Sequence, residues 1–118
     1  MARRTALQAV GGFDEGFFLY EEDADLCRRV RQKGERVLFT PAGEIRHRRG
    51  VSMAREPRRA RLAYHASHLR YYRKHNWPWA WLVLRAGIGV RALIALARGD
   101  GAARAEAFAL LKLALRGG

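Results

Sequence analysis

The chain has 118 residues and a mass of 13.4 kDa, the size of one small domain. At 49% hydrophobic and 29% charged residues it can build a core, which excludes wholesale disorder. Its 23 Lys and Arg against 11 Asp and Glu leave +12, which excludes a basic partner and points to an anionic one: phosphate, nucleotide, nucleic acid or lipid headgroup. Most of the bases are Arg, which suits bidentate phosphate contacts, although an Arg- and Ala-rich composition also arises from GC-rich coding. The single cysteine, Cys27, excludes an internal disulfide and is expected in the core, in a reducing compartment. The basic start, Met1 to Thr5, is not followed by an apolar run, so a secretory signal is not expected there.

In chain order, residues 3–10 read as a short helix ended by Gly11-Gly12. Residues 13–20 read as an aromatic-rich loop or a short extended segment. Residues 22–33 read as a helix with Glu22, Asp23 and Asp25 in its first turn and bases after them, matching the helix dipole. Leu26, Cys27 and Val30 share one face of it. Residues 36–40 alternate apolar Val37 and Phe39 and stop at Pro41, a short strand; residues 44–47 read as a second, and 48–57 as a polar loop. A long basic helix follows over 58–75, broken at Asn76-Trp77-Pro78.

Residues 79–97 are almost wholly apolar, close to the ~20 needed to span a bilayer. Arg85 and Arg91 would each cost roughly 2.5–3.5 kcal/mol near its centre. A turn at residues 98–101 leads to a second apolar helix over 102–116. Two apolar helices entered through Trp77, Trp79 and Trp81 suit a membrane interface. A hairpin packed on another domain is the competing reading. The expected division is an acid-bearing part (1–57), a basic helix (58–76) and an apolar hairpin (77–118).

Residues 1–25 carry six acids against two arginines, and the rest of the chain is strongly basic. Glu21, Glu22, Asp23 and Asp25 occupy four of five positions, which is unfavourable unless a cation or helix N-terminus offsets them. A solvated helix start explains two of them. A general base or a metal-linked site explains the cluster together with Phe17, Phe18 and Tyr20, which could stack on a sugar ring. Asp23-Ala24-Asp25 also spells a metal-binding pattern, but such a pair belongs at a strand end, and here it opens a helix. His65 and His68 sit one turn apart without a third ligand nearby.

The ordered string Gly11-Gly12-Phe13-Asp14-Glu15, Phe17-Phe18-Leu19-Tyr20, Glu22-Asp23-Ala24-Asp25-Leu26-Cys27-Arg28-Arg29, Gly34, Pro41, His47, Gly50 and Ser52 resembles the C-terminal half of a family 2 glycosyltransferase, closest to its rhamnosyltransferase-like members. Residues 67–75 resemble the helix those enzymes carry next. The resemblance implies an α/β fold, a partial GT-A-like unit of two or three short strands with helices, plus the C-terminal hairpin. It implies a nucleotide-sugar donor, a glycan or lipid-linked acceptor, and inversion with Asp23 as general base. Glu22 would line the acceptor site, Asp25 would fix the helix start, and Gly11, Gly12 and Phe13 would border donor and acceptor. His47 would face a Mg²⁺ or Mn²⁺ ion or the diphosphate, with Arg48 and Arg49 beside it.

The family's nucleotide-binding half and its Asp-x-Asp have no counterpart among these residues. The chain is therefore expected to be a portion of an enzyme, with little turnover alone and with most metal ligands on the missing half. The expected location is cytoplasmic, peripheral to the inner face of the plasma membrane. The competing function is a non-catalytic basic module on membrane or nucleic acid; the acid cluster disfavours it, and no nucleic-acid motif is present.

Overall fold

The computed structural model describes residues 2–39, 41–43, 56–99 and 101–116. They form five helices: α1 (Arg4–Ala9), α2 (Glu22–Gln32), α3 (Pro57–His75), α4 (Pro78–Arg98) and α5 (Gly101–Arg116). No strand occurs among the described residues, which corrects the expected α/β fold with short strands. Val37, Leu38 and Phe39, the heart of the expected first strand, run as irregular exposed backbone. A strand exists only by pairing its N–H and C=O groups with a neighbour. Among the described residues none pairs with these in a strand or bridge. The second expected strand (44–47) lies outside the described residues, as do Thr40 and most of the 48–57 loop.

Two helix ends follow from glycine. Past α1, Gly11 and Gly12 adopt φ of +73° and +74°. Gly12 N–H then donates to Leu7 C=O (2.9 Å) and Gly11 N–H to Gln8 C=O (3.1 Å), the paired closure of a Schellman motif. Gly34, at φ +82°, ends α2 in the same way, with Gly34 N–H on Arg31 C=O and Glu35 N–H on Val30 C=O.

The hydrophobic core lies where α3, α4 and α5 meet. Leu69, Ile88 and Ala114 are buried at its centre, with Trp81, Leu84, Leu110 and Leu113 packed around them. Buried Ala60, Ala92 and Ala107 keep the three helices close. Both apolar helices end in carbonyls that arginines of the other helix satisfy. Arg85 on α4 donates to the C=O of Ala114 and to that of Leu115 (2.6 Å), at the end of α5. Arg104 on α5 donates to Leu96 C=O (3.2 Å), near the end of α4. A helix terminus leaves such carbonyls open, and its dipole favours a cation there. Arg85, which interrupts the apolar run in the sequence, is thus a cap, with its guanidinium also 5.1 Å from the Trp81 ring.

Helix α2 does not bury its apolar face. Cys27, expected in the core, is exposed, and the residue α2 buries fully is Asp25. Its partners are polar: Arg29 of α2 itself, and Lys74 and His75 of α3.

Replacing Arg85 with Met keeps the volume and removes two bonds to open carbonyls. We expect a loss of about 1–3 kcal/mol of stability, read by urea unfolding; an unchanged midpoint would remove Arg85 from the hairpin's support.

Candidate functional site

The acids at the start of α2 separate into different roles. Asp25 is fully buried and bonded on three sides: to Arg29 Nε (2.7 Å), His75 Nε2 (2.6 Å) and Lys74 Nζ (2.7 Å). Arg29 turns its other nitrogens to Val10 C=O (2.6 Å) and Gly12 C=O (2.8 Å), the carbonyls presented by the glycine turn after α1. Lys74 also reaches Asp14 (2.6 Å), and Arg70 stands 3.2 Å from the same carboxylate. Arg28 donates to the backbone oxygen of His75. One buried carboxylate therefore ties α1, α2 and the end of α3 together. Phe17 is buried beneath this cluster, its ring facing both Arg70 and Lys74.

Burial pushes the Asp25 carboxyl upward, but its bonds to Lys74, His75 and Arg29 outweigh burial and hold it below the usual Asp value. Asp14 is lowered to about 2 by its bonds to Lys74 and the Gly16 amide. Burial pulls Lys74 down, and Asp14 and Asp25 more than reverse this, raising it above the ordinary lysine value.

The turn leading into α2 is strained. Tyr20 and Glu21 both have left-handed backbone, φ +69° and +66°, although neither is glycine. Such conformations cost of order 1–3 kcal/mol each and persist where surrounding contacts hold them. Here α3 holds three consecutive residues. Ser67 Oγ donates to Leu19 C=O (2.7 Å), the Tyr20 ring meets the Tyr64 edge at 5.7 Å, and Glu21 Oε1 lies 2.6 Å from His68 Nδ1. His68 itself is sandwiched in a ladder of α3 rings, Tyr64 at 5.4 Å and Tyr72 at 4.9 Å.

The strained turn delivers the next two acids. Asp23 is exposed, and its Oδ1 accepts from the Ala24 amide (2.8 Å). Glu22 has one carboxylate oxygen, Oε2, shut away from solvent with no partner among the described residues. Gly11 and Gly12 close α1 and Phe13 is exposed beside them. His47, Arg48 and Arg49 lie outside the described residues. Among the described residues no group of three His, Cys, Asp or Glu could hold a metal ion, and His65 and His68 do not form one.

Sequence reasoning missed His68, Ser67, Lys74 and His75 as partners of the acid cluster. The signal was present in the four-residue spacing of Tyr64, His68 and Tyr72 and of Tyr71 and His75, which puts each set on one helix face.

No family model and no solved structure matches the chain. Three curated proteins do. Two are the N-acetylglucosaminyl-diphospho-decaprenol L-rhamnosyltransferases of Mycobacterium tuberculosis strains CDC 1551 and H37Rv, each 39% identical over 67 residues, covering 57% of this chain and 22% of the relative. The third is the rhamnosyltransferase WbbL of Escherichia coli K12, 47% identical over 47 residues, covering 40% of this chain and 18% of the relative. The similarity thus spans about a fifth of each relative's length, and each of these relatives is named as a rhamnosyltransferase.

Asp25→Ala leaves Lys74, His75 and Arg29 without their shared anion. We expect a loss of about 3–5 kcal/mol, measured by denaturant unfolding; a loss under about 1 kcal/mol would show that the clamp is dispensable.

Asp14 and Asp25 bind protons more weakly folded than unfolded, where Asp titrates near pH ~3.9. Their contribution is therefore complete above about pH 4 and is lost as pH falls through the lowered folded values. Circular dichroism should show acid unfolding developing between about pH 4 and 2, with a shallower slope in Asp14→Asn; an unchanged slope would contradict the role of Asp14.

Proposed function

We propose that this chain supplies the acceptor-side acid of a family 2 glycosyltransferase of rhamnosyltransferase type. The donor is a nucleotide-sugar and the acceptor a glycan or lipid-linked glycan. The observation that carries the reading is the division of labour among the acids, found in a chain similar to named rhamnosyltransferases. Asp25 is consumed by the clamp and Glu21 by His68, which leaves Asp23 exposed at the end of a braced, strained turn. Because the similarity spans 22% and 18% of the relatives, transfer belongs to a whole enzyme of which these residues form one part.

In this reading the Asp23 carboxylate takes the proton of an acceptor hydroxyl. That oxygen attacks the anomeric carbon as the bond to the nucleoside diphosphate breaks, and the configuration inverts. Glu22, the next residue toward the turn, borders the acceptor. Asp25, Arg29 and His75 orient the turn without touching substrate. The described residues do not fit a divalent metal, so no step is routed through one; His47 and Arg48 would face the diphosphate.

The same reading places the chain at a membrane surface on the cytoplasmic side. Helix α4, Pro78–Arg98, is long and apolar enough to cross a bilayer, and only 11% of its most apolar window is buried. Trp77, Trp79, Leu82 and Val83 are exposed near its start, as aromatic and apolar residues are at a bilayer interface.

The test is a chimera of the M. tuberculosis relative in which residues 4–75 of this chain replace the corresponding stretch, assayed with its own donor and lipid-linked acceptor. Transfer is expected to survive the exchange and to fall about 10²–10⁴-fold on Asp23→Asn, with helicity unchanged. Full transfer in folded Asp23→Asn would end the assignment of Asp23 as base.

A further inference from the structure

Helices α3 and α5 leave a groove of about 480 Å³ between them, within the ~300–1,000 Å³ typical of small-ligand sites. Along α3 it is lined by Arg59, Leu62, Ala63 and Ala66, and along α5 by Ala109, Lys112, Leu113 and Arg116. Each set follows the spacing i, i+3, i+4, i+7, so each is one continuous helix face. Phe18, exposed in the loop before α2, joins the lining. The alanines leave the width, the leucines and Phe18 make the floor apolar, and three cations stand over it with no acid in the lining.

Those cations are poorly compensated. Lys112 and Arg116 lie four residues apart on one helix face, where like charges repel, and neither pairs with a carboxylate among the described residues. The C-terminal end of α5 offsets part of the Arg116 charge. Arg59 lies in the first turn of α3, which carries no acid, so the positive helix end opposes it. Its contact with Glu56 is long (3.5 Å) and exposed, and its guanidinium rests 5.8 Å from the Phe18 ring. An apolar trough bearing three such cations matches an amphiphile with one hydrocarbon chain and a phosphate-type head.

We propose that this groove binds a single-chain lipid phosphate, its chain along Leu62, Ala66 and Leu113 and its head among Arg59, Lys112 and Arg116. Binding needs no sugar transfer. Where the transferase reading holds, the groove is where the lipid of a lipid-linked acceptor lies, near the turn that Phe18 precedes.

The test uses the intact 118-residue chain and farnesyl phosphate below its micelle concentration, followed by titration calorimetry. Farnesol, inorganic phosphate, and phosphatidylcholine vesicles with and without phosphatidylglycerol serve as the other arms. Saturable 1:1 binding of farnesyl phosphate is expected, with farnesol and inorganic phosphate at least about tenfold weaker. The exposed pair Lys112→Gln/Arg116→Gln should weaken binding about tenfold or more, and Ala66→Phe, which fills the groove, should abolish it. Should Ala66→Phe fail to fold, the surface pair still decides.

Wild-type affinity in the folded charge variant overturns the proposal. So does farnesol binding as tightly as farnesyl phosphate, or binding confined to phosphatidylglycerol vesicles. Loss of transfer with lipid binding intact would count against the transferase reading alone; absent lipid binding with transfer intact would count against the groove alone.

Discussion

The buried carboxylate of Asp25 is the contact on which the N-terminal third of the molecule depends. An isolated ion in that position would be strongly disfavoured, so its three cationic or imidazole partners must be in place together. They come from α2 itself and from the last turn of α3, residues about fifty positions away. Through Arg29 the same carboxylate fixes the carbonyls of the glycine turn, and through Lys74 it reaches Asp14. The segment that carries the acids is thus attached to the helical body by charge and hydrogen bonds rather than by an apolar face. Such contacts are directional, so they set an orientation more sharply than apolar packing does.

That attachment explains how a strained turn is sustained beside a cluster of acids. Leu19, Tyr20 and Glu21 are each held by a different residue of α3, and the backbone passes through two left-handed residues before α2 begins. The outcome is a carboxylate, Asp23, presented to solvent next to one, Glu22, with an oxygen enclosed and unpaired. The opposite side of the body is ordered by different means. Arginines of α4 and α5 close one another's helix ends, which gives Arg85 and Arg104 partners within an apolar hairpin.

How much of this was legible in the residues differs from element to element. The helices were readable because their signals are local: Gly11 and Gly34 at helix ends, and acids ahead of bases in α2; Pro57 and Pro78, read as loop and helix break, instead open α3 and α4. The strand expected over residues 36–40 failed because a strand is not a local object. Its alternation describes a face, and none of the described residues pairs with it in a strand or bridge. Cys27 was misplaced for a related reason: the apolar stripe of α2 does not mark its inner side, since a charged residue does. At the candidate site, the acids were visible as a cluster, but their separation into clamp, brace and exposed carboxylate depends on α3 side chains distant in sequence. The groove between α3 and α5 was invisible because it is a property of two helix faces brought together.

Amide hydrogen exchange in Asp25→Ala tests the central claim most directly. If this carboxylate holds the acid-bearing segment onto α3, residues 10–32 lose protection together, while the core amides of α4 and α5 keep theirs. Wild-type protection across α2 in the variant, or an equal loss throughout α4 and α5, would contradict it.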